Sequence, residues 1–493
     1  MKPRPAPDAN RAEQAPALSR RRRLLVLTIC CLSLVIVAMD ISIVNLALPD
    51  IRRDLDASVS ELQWTVDAYT LVLASFLVLA GSTADRVGRR RIFLTGLAVF
   101  GVGSLLCGLA PSIGWLIAAR VLQAVGGTML NPVAMAIVVN TFPDRAERAR
   151  AIGVWAAMSG LALALGPIIG GALVDSLGWR AIFWINVPIV VGAAVGTLVV
   201  VPESRALRAR RVDPVGQLLV ILVLGSLVYA IIESPHLGWT SPVIIGLLGA
   251  TVLGTVGILL YEPRRADPLL ELRLFRSIPF SAAILMAVWA FCAFGAFLFV
   301  TTLYLQEVRG FSALAAGLCL IPLGLMIVLI APVTGRIISA RGTRLPLVVS
   351  GAALTLGGVA SLWLGPASPL VAVLGTYLLF GIFQGTINAP ITNTAVSGMP
   401  GSMAGVATSV ASSGRQTGIT LGVAIAGTIM GGGSVARGVW WMVTGLGVGI
   451  VALSLLSTNR WARASADRAA GLFEQVERGP TTQLRPHPGR HRL

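Results

Sequence analysis

Charged residues are scarce in this sequence. Only 12% of its 493 residues are charged and 55% are hydrophobic, and the mean hydropathy is +0.81. A soluble globular domain has a charged fraction of about 25%. The composition therefore excludes an ordinary soluble protein. Apolar runs recur along the chain, each long enough for the roughly 20 residues of a membrane span, and they favour an all-α polytopic membrane protein over a β-barrel.

The sequence has a single lysine, Lys2, and only three histidines. A phosphate-binding P-loop needs a lysine after its glycines, so an ATP-driven pump is excluded within this chain. The histidines form no cluster, and the five cysteines lie inside apolar runs without metal-ligand spacing, so no metal site is predicted. No nucleophile and base pair of the kind that enzymes use is evident either. We therefore predict a protein that is not an enzyme and needs no cofactor.

The remaining 38 basic residues are all arginine, and the net charge is +17. They lie mostly in short loops, where arginine sets membrane orientation, so nucleic-acid binding is not predicted. Charged residues, prolines and glycines divide residues 24–458 into fourteen predicted spans. Loops on one side of these spans carry 18 arginines, and those on the other side carry 5. Because arginine-rich loops stay in the cytoplasm, we expect a multi-pass plasma-membrane protein with both termini cytoplasmic.

Two short segments recur at nearly equal offsets. GSTADRVGRR (81–90) matches GRIISARGTR (335–344), and GTMLNP (127–132) matches GTINAP (385–390). Such a repeat predicts two six-helix bundles with two extra helices between them, an arrangement in which transporters bind substrate at the repeat interface. The predicted division is a cytoplasmic tail at 1–23, an N-terminal bundle at 24–204, two linker helices at 205–265, a C-terminal bundle at 266–458 and a second cytoplasmic tail at 459–493.

Several motifs resemble one known family in the expected order. GSTADRVGRRR (81–91) resembles motif A of the major facilitator superfamily, and LIAARVLQAVGG (116–127) resembles its motif B. DISIVNLALP (40–49), ALALGPIIGG (162–171) and WRAIFWINVP (179–188) are similar to motifs of its 14-helix drug:proton antiporters.

The resemblance implies the major facilitator fold of fourteen helices and a monomer. It also implies a secondary antiporter that exports drugs, antibiotics or other lipophilic compounds in exchange for protons, the coupling ion. The expected partners are therefore a small lipophilic substrate and the lipid bilayer, without nucleic acid or ATP. A proton-coupled or facilitative importer of the same fold remains the alternative.

Three ionisable residues lie inside the predicted N-terminal bundle: Asp40, Asp67 and Arg120. At 1.5 Å per residue, Asp40 is expected about 13 Å below the outer end of its span, and the other two about 7 to 8 Å. A buried carboxylate beside a guanidinium can change its proton occupancy with conformation. We therefore interpret Asp40 or Asp67 as the proton carrier, tuned by Arg120. Alternatively, Asp40 only bonds neighbouring helices and Asp67 is hydrated at the interface.

The loop that resembles motif A is predicted to form a tight turn. Gly88 permits unusual backbone torsions, and Asp85 can pair with Arg89 or with a helix N-terminus. The resemblance implies a cytoplasmic gate, whose residues would be Gly81, Asp85, Arg86, Gly88, Arg89 and Arg90. We expect Asp85 to face the helix that begins near Ser402 and Met403. The alternative is that the arginines only set topology.

The segment ALALGPIIGG predicts a loosened helix, because Pro167 lacks a backbone donor and the glycines permit close helix approach. The residues concerned are Gly166, Pro167, Gly170 and Gly171. Close packing alone would explain them equally well. The resemblance associates this element with export rather than uptake, although Ala162 stands where a glycine is common.

Polar residues in other spans are candidates for a substrate cavity: Asn45, Gln123, Asn131, Gln384, Asn388, Arg415 and Gln416. Arg415 is expected about 18 Å into its span, close to the membrane midplane, with no acid in the same span. It either contacts substrate or binds backbone carbonyls. The second bundle offers no carboxylate at this depth, so neutral, amphipathic or anionic substrates are favoured over dications.

Overall fold

The computed structural model describes residues 19–205, 213–265, 268–397, 399, 403–431, 436–459 and 461–471 except 463, 467 and 470. The regular structure of this part of the chain is helical. The helices are α1 (Arg20–Leu55), α2 (Val59–Val87), α3 (Arg89–Gly108), α4 (Ile113–Thr141), α5 (Arg145–Leu177), α6 (Ala181–Trp184), α7 (Asn186–Val200), α8 (Pro214–Leu237), α9 (Pro242–Tyr261), α10 (Ile278–Leu303), α11 (Ala313–Cys319), α12 (Ile321–Arg341), α13 (Arg344–Leu362), α14 (Leu370–Val396), α15 (Ala404–Gly431) and α16 (Arg437–Ser457).

In the part of the chain that the structure describes, fourteen membrane spans result when α6 joins α7 and α11 joins α12. Thirteen of them, among the described residues, are long and apolar enough to cross a membrane. The remaining one, α15, has 28 residues, and Arg415, Gln416 and several hydroxyl residues lower its hydropathy. The protein is therefore an all-helical, multi-pass membrane protein, as the apolar runs predicted.

Two predicted spans are interrupted in the structure. The span expected at 181–201 breaks at Ile185 between α6 and α7, and the span expected at 312–334 breaks at Leu320 between α11 and α12. A proline follows each break within three residues, Pro188 and Pro322. Because proline has no backbone donor, the helical hydrogen-bond ladder is interrupted there.

The first helix is longer than predicted. It contains 36 residues, including Pro49, and ends at Leu55, so it measures about 54 Å. Asp40 consequently lies about 22 Å from that end, near the middle of the helix rather than about 13 Å below its end. Asp67 is about 12 Å from the start of α2, and Arg120 is about 10 Å from the start of α4.

We call the side of the molecule at which α1 begins and α16 ends the terminal side, and the side at which α1 ends the opposite side. Helices α1 to α7 pack around α1 and α4, whereas α10 and α12 to α16 pack around α10, α13 and α14. The extra helix α8 follows α2, because Gln217 donates to the Ser75 carbonyl and the Ser60 hydroxyl donates to the Ile232 carbonyl. Helix α9 packs on α8.

Contacts between the two groups of helices concentrate toward the opposite side. Gln306, beyond α10, donates to the Leu46 carbonyl of α1 at 2.7 Å, and Arg52 pairs with Glu307 at 3.1 Å. Toward the terminal side, a Cβ built on Gly405 at the start of α15 would have no atom within 4 Å. The structure is therefore closed at the opposite side, whereas the position of Gly405 on α15 faces open space.

Candidate functional site

Asp40 of α1 and Arg120 of α4 form a buried ion pair. The Arg120 Nη1 atom lies 2.5 Å from the Asp40 Oδ2 atom, and both side chains are 1% exposed. Arg120 also donates from Nε to the Thr65 carbonyl at 3.1 Å, and its guanidinium lies 4.1 Å from the Tyr69 ring centroid. A charge buried without such partners would carry a large desolvation cost. The pair therefore couples α1 to α4, with α2 supplying the remaining contacts.

Gln123 completes this network instead of facing the cavity for which it was a candidate. It accepts from Arg120 Nη1 at 2.6 Å and donates to Asp40 Oδ1 at 2.9 Å. It also donates to the Ser104 hydroxyl of α3 at 2.8 Å. The close crossing of α3 and α4 depends on Gly103, because a Cβ there would lie 2.5 Å from the Gln123 Cα. Both carboxylate oxygens of Asp40 are thus hydrogen-bonded.

Asp67 lies apart from this pair. Gln63 and Thr70, on the same face of α2, both contact α15: Gln63 donates to the Ala424 carbonyl at 2.7 Å, and Thr70 accepts from the Thr420 hydroxyl at 2.9 Å. Because Asp67 lies four residues after one and three before the other, it shares that face. The three ionisable residues therefore do not form one cluster. Asp67 belongs to the interface between the two groups of helices.

The Asp67 carboxyl group is fully buried, with 0% exposure. Its Oδ1 atom accepts a 3.4 Å hydrogen bond from the Thr70 hydroxyl. Its Oδ2 atom is buried and has no hydrogen-bond partner among the described residues. Where the structure is described, no arginine or lysine pairs with it. Both acids are thus buried, but Asp40 has a cationic partner, whereas Asp67 has none among the described residues.

The predicted gate residues form a tight turn between α2 and α3. Gly88 has φ +128°, a conformation that favours glycine. Asp85 accepts from Arg89 at 2.8 Å, and the Glu203 carboxylate accepts from the Arg90 backbone N–H at 3.1 Å. The turn is therefore attached to the segment that follows α7.

The other gate candidates occupy the surroundings of this turn. Arg86 is exposed, and a Cβ on half-buried Gly81 would lie 3.8 Å from Pro132 Cβ. Ser402 lies outside the described residues. The expectation that Asp85 faces the helix starting near Ser402 and Met403 stays a prediction. In the structure, the Asp85 carboxylate pairs with Arg89.

The glycines of ALALGPIIGG face two different helices. A Cβ on Gly166 would lie 2.2 Å from Ser42 Oγ, and one on Gly170 would lie 2.9 Å from an Ile43 methyl, so both face α1. A Cβ on Gly171 would lie 2.5 Å from the Ala313 carbonyl oxygen at the start of α11. Helix α5 therefore uses this segment to pack closely against both groups of helices.

The contact between α5 and α11 is reciprocal. A Cβ on Gly317 of α11 would lie 2.2 Å from the Pro167 carbonyl oxygen. One turn beyond Gly171, the Asp175 carboxylate accepts from the backbone N–H groups of Ala313 and Leu314, both at 3.0 Å. A carboxylate at a helix N-terminus is stabilised by the unpaired N–H groups and by the helix dipole. These contacts hold the opposite side closed.

The remaining cavity candidates differ in exposure. Asn45 is buried, and its amide donates to the Ile41 carbonyl at 2.8 Å. Asn131 is half-buried, whereas Asn388 is exposed and donates to the Gln384 carbonyl at 3.4 Å. Arg415 and Gln416 of α15 are half-buried. Four of these candidates have a buried side-chain amide oxygen without a hydrogen-bond partner in the described structure: Asn45, Asn131, Gln384 and Gln416.

Three residues that the sequence did not single out hold the assembly together: Gln63, Asp175 and Glu203. Each bonds to backbone groups of a segment distant in the chain. Their side chains are ordinary polar groups near helix ends, so no local pattern distinguishes them from solvated residues. Asp175, four residues after Gly171, is the one that the glycine motif could have indicated.

The sequence matches the Major Facilitator Superfamily over residues 30–423. The chain belongs to the major facilitator superfamily. A structural neighbour agrees with this assignment: a peptide transporter solved in complex with sulfate has a TM-score of 0.64 to this facilitator. The superposition covers 91% of the present chain and 95% of the neighbour at 14% sequence identity, so it supports the fold alone.

Curated relatives of this facilitator are named as export or resistance proteins. The tetracenomycin C resistance and export protein of Streptomyces glaucescens is 38% identical over 92% of this chain and 82% of its own length. The multidrug resistance protein Stp of Mycobacterium tuberculosis is 37% identical over 83% of this chain and 76% of its own length. The drug efflux pump JefA, also from M. tuberculosis, is 35% identical over 84% and 81%.

Proposed function

We propose that this facilitator exports drugs, antibiotics or other lipophilic compounds from the cytoplasm and takes up protons in exchange. The names of its relatives, which describe multidrug resistance, antibiotic export and drug efflux, support the exported class. Proton coupling is supported by the two buried acids in membrane helices, because intramembrane ionisable groups are costly and mark proton and substrate pathways.

We also propose an orientation in which the terminal side is cytoplasmic. The excess of arginine in the loops of that side supports it. The conformation seen here is then closed to the outside by the contacts of Asp175 with α11 and of Gln63 with α15. An exporter loads substrate in this state, because its central space must first communicate with the cytoplasm.

Asp67 is the proposed proton carrier, and its position in the α2–α15 interface is the observation that carries the proposal. The interface buries the carboxyl group without a cationic partner among the described residues. Burial of an unpaired carboxylate is unfavourable, so the closed interface favours the protonated, neutral acid. Separation of α2 from α15 on the outer side would hydrate Asp67 and let it exchange its proton.

Asp40 has a different proposed role. Arg120 and Gln123 already hydrogen-bond both oxygens of its carboxylate in this conformation. Arg120 in turn bonds to the Thr65 carbonyl, two residues before Asp67 on α2. The pair therefore positions the helix that carries the proton-binding acid. Separation of α2 from α15 would therefore move the helix that the Asp40–Arg120 pair contacts.

The proposed partners follow from this mechanism. The chain would work as a monomer in the plasma membrane, with both termini cytoplasmic and the bilayer around its exposed helices. It would exchange one small lipophilic compound at a time for protons. Neither ATP, nucleic acid, metal nor another cofactor has a role in this cycle.

Inverted membrane vesicles that contain the full chain test this function. Acidifying the vesicle lumen, which corresponds to the cell exterior, should drive uptake of ethidium or another fluorescent drug. A protonophore should abolish the uptake, and ATP should not replace the gradient. If neither this dye nor any of a broad drug panel moves in response to the gradient, the proposed function is wrong.

A further inference from the structure

Arg415 is a cation in the middle of a membrane helix without an acid beside it. Its Nη1 atom donates to the Thr392 hydroxyl of α14 at 3.2 Å, and its Nη2 atom donates to the Ser412 hydroxyl at 3.0 Å. No carboxylate lies within ion-pair distance of it in the described part of the chain. Since a guanidinium carries five N–H donors, donors remain for a further partner.

Among the described residues, Arg415 donates to no backbone carbonyl, the structural role that the sequence left open. The hydrogen bonds that the structure gives it end on two hydroxyl oxygens. A hydroxyl is a neutral acceptor and leaves the positive charge uncompensated. A lone arginine at the centre of a membrane helix is costly to insert into the bilayer. Such a cost indicates a residue kept for binding rather than for packing.

The packing of α15 directs Arg415 toward the space between the bundles. One face of α15 is closed by α10, because a Cβ on Gly418 would lie 2.5 Å from the Val288 carbonyl oxygen. Another face is closed by α2 through the contact of Thr420 with Thr70. Ser412, Arg415 and Gln416 lie on the sector between these faces and remain half-buried. They are therefore partly exposed although they lie midway along the helix.

The two helices joined by the Arg415–Thr392 hydrogen bond, α15 and α14, carry further neutral polar side chains. Thr392, the hydroxyl partner of Arg415, stands four residues after Asn388 and eight after Gln384, so the three share one face of α14. Gln384 is 4% exposed, and its side-chain amide oxygen has no hydrogen-bond partner among the described residues. The amide oxygen of Gln416 is also buried and unpartnered. Unsatisfied amides on the same two helices as an uncompensated cation indicate a site whose polar partner is external.

We propose that Arg415 binds an anionic group of the exported compound, and that Thr392, Gln384 and Gln416 contact the polar atoms next to that group. This inference rests on the proposed export function and names its substrate class: lipophilic compounds that carry one anionic group, such as a carboxylate or a sulfonate. Arginine suits this task because its planar donors match two oxygens of such a group at once.

The acids of the N-terminal bundle fit this substrate class. Asp40 is neutralised by Arg120, and Asp67 faces α15 at a contact that excludes water. Neither offers a free negative charge to a cationic drug in this conformation. The uncompensated charge of the substrate space is therefore positive, at Arg415.

A matched pair of probes isolates the charge of the substrate. Naphthalene-2-sulfonate is anionic at all working pH values, whereas naphthalene-2-sulfonamide has nearly the same shape and is neutral. Uptake of each radiolabelled probe, and of cationic ethidium, is measured in inverted vesicles with an acidic lumen. The quantity compared is the ratio of sulfonate to sulfonamide uptake, per amount of folded protein.

We expect the wild-type protein to prefer the sulfonate and Arg415→Gln to lower the ratio at least tenfold. Arg415→Lys, which keeps the charge but loses the planar fork, should lower it less. Arg341→Gln, which removes an exposed arginine at the end of α12, is the matched control and should leave the ratio unchanged. If Arg415→Gln does not fold, the decision rests on Arg415→Lys and on wild-type competition, in which the sulfonate should inhibit ethidium uptake tenfold better than the sulfonamide.

The outcomes separate the two proposals. Proton-driven uptake of ethidium or sulfonamide without uptake of, or competition by, the sulfonate would overturn the anion site and leave the export function standing. An unchanged ratio in Arg415→Gln would do the same. If no probe and no drug responds to the proton gradient, the export function fails and the inference fails with it.

Discussion

At the scale of single residues, the Asp40–Arg120 pair and Asp67 show how two buried acids of one bundle come to have different surroundings. Asp40 has a guanidinium and an amide on its two oxygens, and Asp67 has one weak hydroxyl contact. A buried charge that keeps its partner contributes little net stability, but the charge that remains when the partner is removed is costly. Replacing either member of the pair alone should therefore damage the fold more than replacing both.

We expect Asp40→Ala to lower the free energy of unfolding by about 3 to 5 kcal/mol, because Arg120 would be left buried and unpaired. The double variant Asp40→Leu with Arg120→Met should lose clearly less. Unfolding of the purified protein by sodium dodecyl sulfate, followed by helicity, measures both. Arg336→Gln, an exposed arginine of α12, is the control for loss of charge alone. Equal losses in the single and double variants would contradict the pairing.

Asp67→Asn should uncouple transport from protons without unfolding the protein. The amide is close in size to the protonated acid and stays neutral, so the closed α2–α15 interface should persist. Proton-driven drug uptake into inverted vesicles should fall at least tenfold, while exchange of labelled for unlabelled drug without a gradient should continue. Asp56→Asn, at the exposed end of α1, should leave coupling intact. Undiminished proton-driven uptake in Asp67→Asn would exclude it as the carrier.

Sequence reasoning could find these residues but not their arrangement. Asp40, Asp67 and Arg120 stand out because charges are rare in apolar runs. Which of them meet depends on the rotation of α2, where one position turns a side chain by about 100°. Thr65 and Tyr69 face Arg120, whereas Gln63 and Thr70 face α15. Nothing in the local pattern fixes that division, so Asp67 was grouped with the pair it does not join.

At the scale of elements, the sequence predicted that α5 packs closely against other helices. It did not predict which helices these are. The spacing of Gly166 and Gly170 is typical of a helix crossing, and both face α1 as one stripe. Gly171 is the next residue and faces α11 across the bundle boundary. The same short segment thus holds α5 within its own bundle and touches the other one.

Gly171→Ala should destabilise the closed opposite side, because the added Cβ would lie 2.5 Å from the Ala313 carbonyl oxygen, a backbone atom that cannot rotate away. Spin labels at the exposed positions 177 and 308 would report the change as a longer distance by double electron–electron resonance. Gly153→Ala is the control on the same helix, since a Cβ there has nothing within 4 Å. An unchanged distance distribution in Gly171→Ala would show that this contact does not hold the side closed.

At the scale of the whole molecule, the helix count followed from the sequence because the bilayer sets the length of every span. The breaks at Ile185 and Leu320 could not be predicted from the sequence. A proline follows each break, but prolines also occur inside the continuous helices α1, α4 and α5. The conformational state did not follow either. One sequence must be compatible with both states of a transporter, so its patterns describe the helices and not which side is closed.

Alternating access predicts that opening the opposite side closes the terminal side. Gly405→Cys at the start of α15 is a suitable reporter, because its Cβ points into open space and the five native cysteines are buried. A membrane-impermeant maleimide should label it quickly in inverted vesicles and not in intact cells, as cytoplasmic termini require. Adding Gly171→Ala should slow that labelling several-fold, because α15 would move against the N-terminal bundle, whereas adding Gly153→Ala should not. Equal labelling rates in the two backgrounds would mean that the two sides move independently and that one rocking motion does not connect them.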